Sequence, residues 1–142
     1  MTAASEPRRR STFGRSARII HAAEFKAVYE ARMRKLRGPL LLFSRPNTLA
    51  HHRLGLSIGR RVGPAVRRNL LKRHLREAFR LNRADLPMAA GGGYDLVVSA
   101  NAHEPLTLSE YQDLLMSLAL ISHKDWQRRA ARGENPLSDA GG

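Results

Sequence analysis

Arg53-Leu54-Gly55-Leu56-Ser57-Ile58-Gly59-Arg60-Arg61-Val62-Gly63-Pro64-Ala65-Val66-Arg67-Arg68-Asn69-Leu70-Leu71-Lys72-Arg73-His74-Leu75-Arg76-Glu77-Ala78-Phe79-Arg80 carries two hydrophobic periods in succession. From Arg53 to Ile58 the pattern alternates, with Leu54, Leu56 and Ile58 on one face and Gly55 and Ser57 on the other. A period of two belongs to a strand with one face in a core. Gly63-Pro64 then opens a helix, because proline at the first helical position gives up an amide that has no intrahelical partner anyway. The helix is expected to reach about Asn82. At about 100° per residue, Arg68, Asn69, Lys72, Arg73, Arg76, Arg80 and Arg83 share an arc of roughly 140°. Leu70, Leu71, Leu75, Ala78, Phe79 and Leu81 take most of the opposite side. One face suits a core and the other suits anions.

Working outward, Leu40 to Phe43 is a short apolar run that fits a buried strand, and Pro46-Asn47 begins a turn. Ahead of it, the basic cluster Arg32, Arg34, Lys35, Arg37 ends at a Gly38-Pro39 break. Phe25, Val28 and Tyr29 recur at i, i+3, i+4, which predicts a helix from about Ala22 to Met33. An extra strand near Ile19-Ile20 is possible. Downstream, Pro87 and Gly91-Gly92-Gly93 read as a flexible loop, and Tyr94 to Ser99 as a strand. Thr107-Leu108-Ser109-Glu110 fits a capping box, with Leu106 and Tyr111 as its hydrophobic staple. Leu108, Tyr111, Leu115 and Leu118 line the apolar face of the last helix, and a frayed tail is expected after about Trp126. The order gives an α+β layout, with helices on one side of a small sheet. The expected organisation is a disordered basic arm over residues 1–17, one domain over 18–126 and a disordered tail over 127–142.

The chain has 142 residues, with 25 Lys and Arg against 12 Asp and Glu, for a formal net charge of +13 and a pI near 11.5. Like charges repel in a compact state, so such an excess calls for a polyanionic partner. Nucleic acid leads and an anionic membrane surface follows. No apolar run approaches the length that spans a bilayer, and the apolar face of the basic helix, with no Trp and Phe79 alone, lacks the aromatic anchors of a membrane-surface helix. The absence of cysteine removes disulfides, thiolate nucleophiles and cysteine-based zinc sites, and fits a reducing cytosol. The Arg- and Ser-rich start reads as an arm attracted to phosphates, with an organellar transit segment as the alternative.

A solvated charged helix ordinarily interleaves both signs. Here Glu77 is the only acid from Arg60 to Arg83. Guanidinium groups grip phosphate oxygens in pairs, and Asn69 among them can donate to a phosphate or accept from a 2′-hydroxyl. Other chemistry finds no support. His51 and His52 are adjacent and would point to opposite faces of a strand, and no metal-binding histidine spacing occurs. Asp85, Asp95 and Glu104 show no paired-carboxylate spacing. A helix-turn-helix DNA reader would need a helix just before residue 64, where a strand pattern stands. A ribosomal or ribosome-assembly protein remains an RNA-binding alternative.

Val62-Gly63, Ala65-Val66, Arg68-Asn69, Lys72-Arg73 and Arg76-Glu77 together resemble the signature of the bacterial ribonuclease P protein component family, and a looser resemblance runs from about Arg18 to Ile121. The resemblance implies a mixed sheet of about four strands with flanking helices, a split βαβ unit with a left-handed crossover, as in the second domain of ribosomal protein S5. It implies a cytoplasmic subunit that binds a catalytic RNA and the 5′ leader of precursor tRNA. The RNA would perform magnesium-dependent removal of that leader, with no catalytic residue from the protein and no obligate protein partner. Arg60, Arg61, Arg67, Arg68, Asn69, Lys72, Arg73 and Arg76 match the family's RNA-binding helix. Phe25, Tyr29 and Phe43 match its leader cleft, although each aromatic also reads as plain core. Two departures stand out: Ala100-Asn101 replaces the family's usual Ala-Arg pair, and Gly59, Arg60 and Arg61 stand where Ser and Lys are common.

Overall fold

The computed structural model describes residues 14–134. Among them the order is α1 (Ala22–Glu30), β1 (Arg34–Arg37), β2 (Leu40–Pro46), β3 (Arg53–Ser57), α2 (Ala65–Asn82), β4 (Tyr94–Ala100) and α3 (Leu108–Ala131), with 3-10 turns at Arg15–Ala17, Arg60–Val62 and Arg83–Asp85. The sheet order is β1-β2-β4-β3. β2 is antiparallel to β1 and β4, while β3 runs parallel to β4. The α+β class and the four-stranded mixed sheet agree with expectation. The βαβ unit does not take the split form: β3 and β4 are neighbours, with no strand between them.

β1 is a strand where the sequence suggested only a basic cluster. Its four residues carry no apolar alternation, so the pairing is set by the turn. Gly38 has φ +55° and Pro39 is held to negative φ by its ring, the sign pattern of a two-residue type II′ hairpin. Register follows, from Arg37 opposite Leu40 to Arg34 opposite Phe43.

One sheet face, with Leu40, Leu42, Leu54, Leu96 and Val98, packs into the main core. Against it lie Leu71, Leu75, Ala78 and Phe79 of α2 and Tyr111, Leu115, Leu118 and Trp126 of α3. Each such side chain contributes about 1.5–3 kcal/mol on burial. The other face is also covered. Ile19, Val28 and Val97 form a second cluster with Phe25 and Phe43 packed on it. Helices therefore lie on both sides of the sheet, α1 alone on the second, which corrects the one-sided arrangement. Gly55 is the seat for α1: a Cβ there would stand 2.9 Å from the Phe25 ring and 3.0 Å from Ile19 Cβ.

The ends of the domain are set by long-range contacts. Arg18 bridges Leu54 in parallel and Ile19 N donates to Leu54 O at 2.9 Å, so the expected extra pairing near Ile19 exists as a single bridge. Arg15–Ala17 is an ordered turn with Ala17 buried, so the structured region begins before residue 18. The rest of the basic arm, 1–13, lies outside the described residues, as does 135–142. α3 carries its expected capping box, with Thr107 N donating to Glu110 Oε1 at 2.9 Å and Glu110 N to Thr107 Oγ1 at 3.1 Å. The helix then runs past Trp126 to Ala131. Trp126 Nε1 donates to buried Ser44 Oγ at 2.9 Å, and the Arg129 guanidinium lies 4.8 Å over the Trp126 ring. Arg129 also donates to Ala31 O at 2.9 Å and Arg32 O at 2.7 Å, which ties the last turns to the end of α1.

The triple glycine is not a free loop. Gly93 N donates to Leu49 O at 2.9 Å and Asn47 N donates to Gly93 O at 2.9 Å. A Cβ on Gly92 would stand 2.5 Å from Leu49 O, and one on Gly93 would collide with the His51 carbonyl. Glycine is needed there for close approach to the 47–51 turn.

Candidate nucleic-acid interface

α2 starts at Ala65, with Pro64 as its N-cap at φ −66° and ψ 168° rather than as its first helical residue. Leu71, Leu75, Ala78 and Phe79 are buried as the periodicity predicts. The last turn differs. Leu81 is 42% exposed, while Asn82 is buried and donates to Gln112 O at 2.8 Å and accepts from Gln112 Nε2 at 3.1 Å. A polar residue takes the place next to α3 because the α3 backbone offers it a partner.

On the outer side Arg60, Arg61, Asn69, Arg73 and Arg76 are exposed, and Arg67, Arg68 and Lys72 are half-buried along their stems. The one acid of this stretch is already engaged. Arg80 grips both oxygens of Glu77, at 2.9 and 2.6 Å, and that hydrogen bonding holds the Glu77 carboxyl below its usual range. Arg83 lies 6.0 Å over the Phe79 ring. Among the described residues Arg68 reaches only the Gly63 carbonyl, at 3.4 Å, and Arg67 only Glu104, at 3.8 Å with that carboxylate 90% exposed. An exposed pair at that distance contributes little. The structure thus brings the eight predicted residues onto one end and one face of α2, with the one acid of the stretch held by Arg80. Arg18, from the segment before α1, joins Arg73, His74, Arg76 and Glu77 around an open depression of about 390 Å³. Arg18 was not singled out from the sequence, since only the bridge to Leu54 brings it there.

The three predicted aromatics also share a face, on the other side of the sheet. Tyr29 and Phe43 meet edge to face at 4.9 Å, with Tyr29 39% exposed and Phe43 half-buried. Phe25 sits over Gly55 in the second cluster and is half-buried. Phe25 and Phe43 are both partly buried against that cluster, whereas Tyr29 is exposed.

Polar groups that spacing did not reveal hold these surfaces in place. Arg53 donates to both oxygens of Asp95, at 2.8 and 2.7 Å, and to Glu24 Oε2 at 2.8 Å. Asn47 adds a bond to Asp95 at 2.8 Å. This network pins α1 to β3 and β4, and its two carboxylates raise the Arg53 pKa further. Buried His52 accepts from Tyr94 N at Nδ1, 3.0 Å, and burial pushes its pKa down. Tyr94 bonds His123 Nδ1 at 2.7 Å, and burial pushes the phenol up to about 12. These histidines have structural partners, and among the described residues no three metal-ligating side chains converge.

A family model described as Ribonuclease P matches residues 13–123. The ribonuclease P protein component of Azotobacter vinelandii is 47% identical over 90 residues, 62% of this chain and 65% of that protein. The corresponding protein of Methylococcus capsulatus is 38% identical over 128 residues, 87% of this chain and 91% of its own length. The chain therefore spans just under two thirds of the first relative and nearly all of the second. Among solved structures, the RNase P protein from Thermotoga maritima superposes with a TM-score of 0.63 at 27% identity, over 72% of this chain and 94% of that one. The Staphylococcus aureus RNase P protein gives 0.61 at 27% identity, over 75% and 94%. The matched span contains the whole sheet, the arginine helix and the aromatic face, and on these grounds the chain belongs to the ribonuclease P protein family.

Proposed function

We propose that this chain is the protein subunit of a ribonuclease P, holding a catalytic RNA on the outer face of α2 and the 5′ leader of precursor tRNA on the aromatic face of the sheet. The holoenzyme would cut the leader and leave the mature tRNA 5′ end. The observation that carries the reading is the run Arg68, Lys72, Arg73, Arg76 with Glu77 already bound to Arg80. A cationic surface with no acid to spare fits phosphates, and its fixed helical spacing suits a folded RNA better than a flexible chain. Tyr29 and Phe43 offer rings on which bases stack without regard to sequence, which suits a subunit that meets many leaders.

On this reading the protein's part is binding and orientation. Magnesium prefers carboxylate and phosphate oxygens, and Glu77, the carboxylate beside the basic face, already has both oxygens bound to Arg80. Those side chains do not fit a metal site, and metal-assisted activation of water is assigned to the RNA. Among the described residues no helix is long and apolar enough to cross a membrane. On this reading the protein works in the cytoplasm, beside tRNA maturation.

The test is cleavage of precursor tRNA by a bacterial ribonuclease P RNA at low magnesium, with and without the protein. Strong stimulation with product cut at the mature 5′ end is expected. Arg76→Ala should weaken binding to that RNA and reduce the log–log salt slope by about one unit or less. Tight RNA binding without stimulation would move a ribosome-associated role to the front.

A further inference from the structure

The sheet face that α1 partly covers carries three arginines, and one of them is neutralised. Side chains alternate along a strand, so Phe43 and Arg45 of β2 share this face with Val97 and Asp95 of β4 and Gly55 and Arg53 of β3. Arg34 stands opposite Phe43 on β1 and takes the same side. Arg53 is locked between Asp95 and Glu24. Both acids are thereby engaged, so Arg45, although directly across from Asp95, finds its oxygens taken by Arg53 and Asn47. Among the described residues neither the Arg45 nor the Arg34 side chain has a hydrogen bond or an ion pair. The other acid of α1, Glu30, lies 3.9 Å from Lys26, with both side chains exposed.

Arg34 and Arg45 are diagonal neighbours across the β1–β2 pair, a relation that sets such residues about 7–8 Å apart. Phe43 stands next to both, directly opposite the first and two residues before the second. Tyr29 meets its ring edge-on at 4.9 Å. Arg34 is exposed and Arg45 half-buried, so both heads can reach a ligand lying over the aromatics. Unpaired guanidinium groups beside accessible rings fit a polymer that alternates charged phosphates with flat bases, and only an unpaired strand can present both at once.

We infer that Arg34 and Arg45 hold neighbouring backbone phosphates of a single-stranded RNA segment whose bases stack on Tyr29 and Phe43. This rests on the leader reading above and adds a charged clamp to it. The clamp sits on the β1–β2 side of the face rather than at the end of β4, where the exposed residue is the neutral Asn101.

The experiment uses holoenzyme assembled with a bacterial ribonuclease P RNA and precursor tRNAs whose leaders are lengthened one nucleotide at a time from none. Arg34→Gln, Arg45→Gln and the double variant are compared with the native protein after their melting curves are shown to coincide. The double variant should bind leader-bearing precursor about tenfold more weakly, with the log–log salt slope reduced by roughly 0.7 per lost phosphate contact. Leaderless tRNA should bind as before. Neutral methylphosphonate linkages in the leader should produce the same loss in the native protein and add little in the double variant. Equal losses with and without a leader, or full additivity of variant and neutral linkage, would overturn the clamp. If the native protein gives no stimulation of cleavage, the leader reading fails instead. Titration of the free protein with short single-stranded RNA carrying either linkage then decides the clamp on its own.

Discussion

Gly55→Ala would add one methyl group where α1 rests on the sheet. The new carbon would stand 2.9 Å from Phe25 Cε1 and Cζ and 3.0 Å from Ile19 Cβ, inside the optimal carbon–carbon separation of about 3.5–4.0 Å. The ring is the far end of a side chain, but Val28 and Val97 pack in the same cluster and limit its retreat. Ile19 Cβ is worse placed to move, because its own amide is bonded to Leu54 O. Overpacking of this kind costs about 1–3 kcal/mol. Replacing glycine in a strand returns roughly 0.5–1 kcal/mol of chain entropy. The net expectation is a loss of about 1–2 kcal/mol, equivalent to a fall in Tm of roughly 3–10 °C for a domain of this size. Thermal and urea unfolding would measure it. Phe25→Leu makes room for the methyl and should cost about 1 kcal/mol alone. The double variant should be more stable than the sum of the two losses by at least about 0.5 kcal/mol. A neutral Gly55→Ala, or strict additivity with Phe25→Leu, would refute the seating of Phe25 on Gly55.

Two further substitutions test the polar ties. His52 is neutral when folded, its pKa depressed by burial, whereas the unfolded ring titrates near 6.5. Its contribution is complete above that value and is lost as pH falls from about 6.5 through the lower folded pKa. Urea midpoints should therefore decline over that interval, more steeply in the native protein than in His52→Gln; parallel profiles would show that another group governs the decline. Trp126→Phe leaves Ser44 Oγ buried without its donor, which should cost about 1–3 kcal/mol. It should also speed hydrogen exchange over residues 127–131, and unchanged protection there would mean that the last turns hold themselves.

The parts of the fold legible in the sequence are those written as a period in one segment. Leu54 against Gly55, and Leu71, Leu75 and Phe79 against Arg68, Lys72 and Arg76, needed no knowledge of the rest of the chain. What was missed depends on partners far away. Alternation at Gly55 says that one face is small, but the reason is a helix that returns from thirty residues upstream to lie on it. β1 has no apolar pattern because its only strand neighbour is β2. The extension of α3 past Trp126 depends on Ser44, Ala31 and Arg32, none of which signals it locally. Arg68, Asn69, Lys72, Arg73 and Arg76 could be read from helical spacing, whereas Arg60, Arg61, Arg67 and the aromatics came from resemblance. The locking of Arg53 by Asp95 and Glu24, which singles out Arg34 and Arg45, required the sheet register.

The position of β4 between β2 and β3 has a kinetic consequence. β3 finds its strand partner only after α2 has been made and the chain has returned, and β2 until then has only β1. Emerging from a ribosome, the chain offers a hairpin and a basic helix without a sheet to join them. The completing strand is the last of the four, and the helix that seals its core follows later still. Folding should therefore be dominated by non-local closure and slow for a domain of this size, with few stable partial structures. A nascent chain cut short before Tyr94 would expose two unsatisfied strand edges rather than a smaller version of the protein.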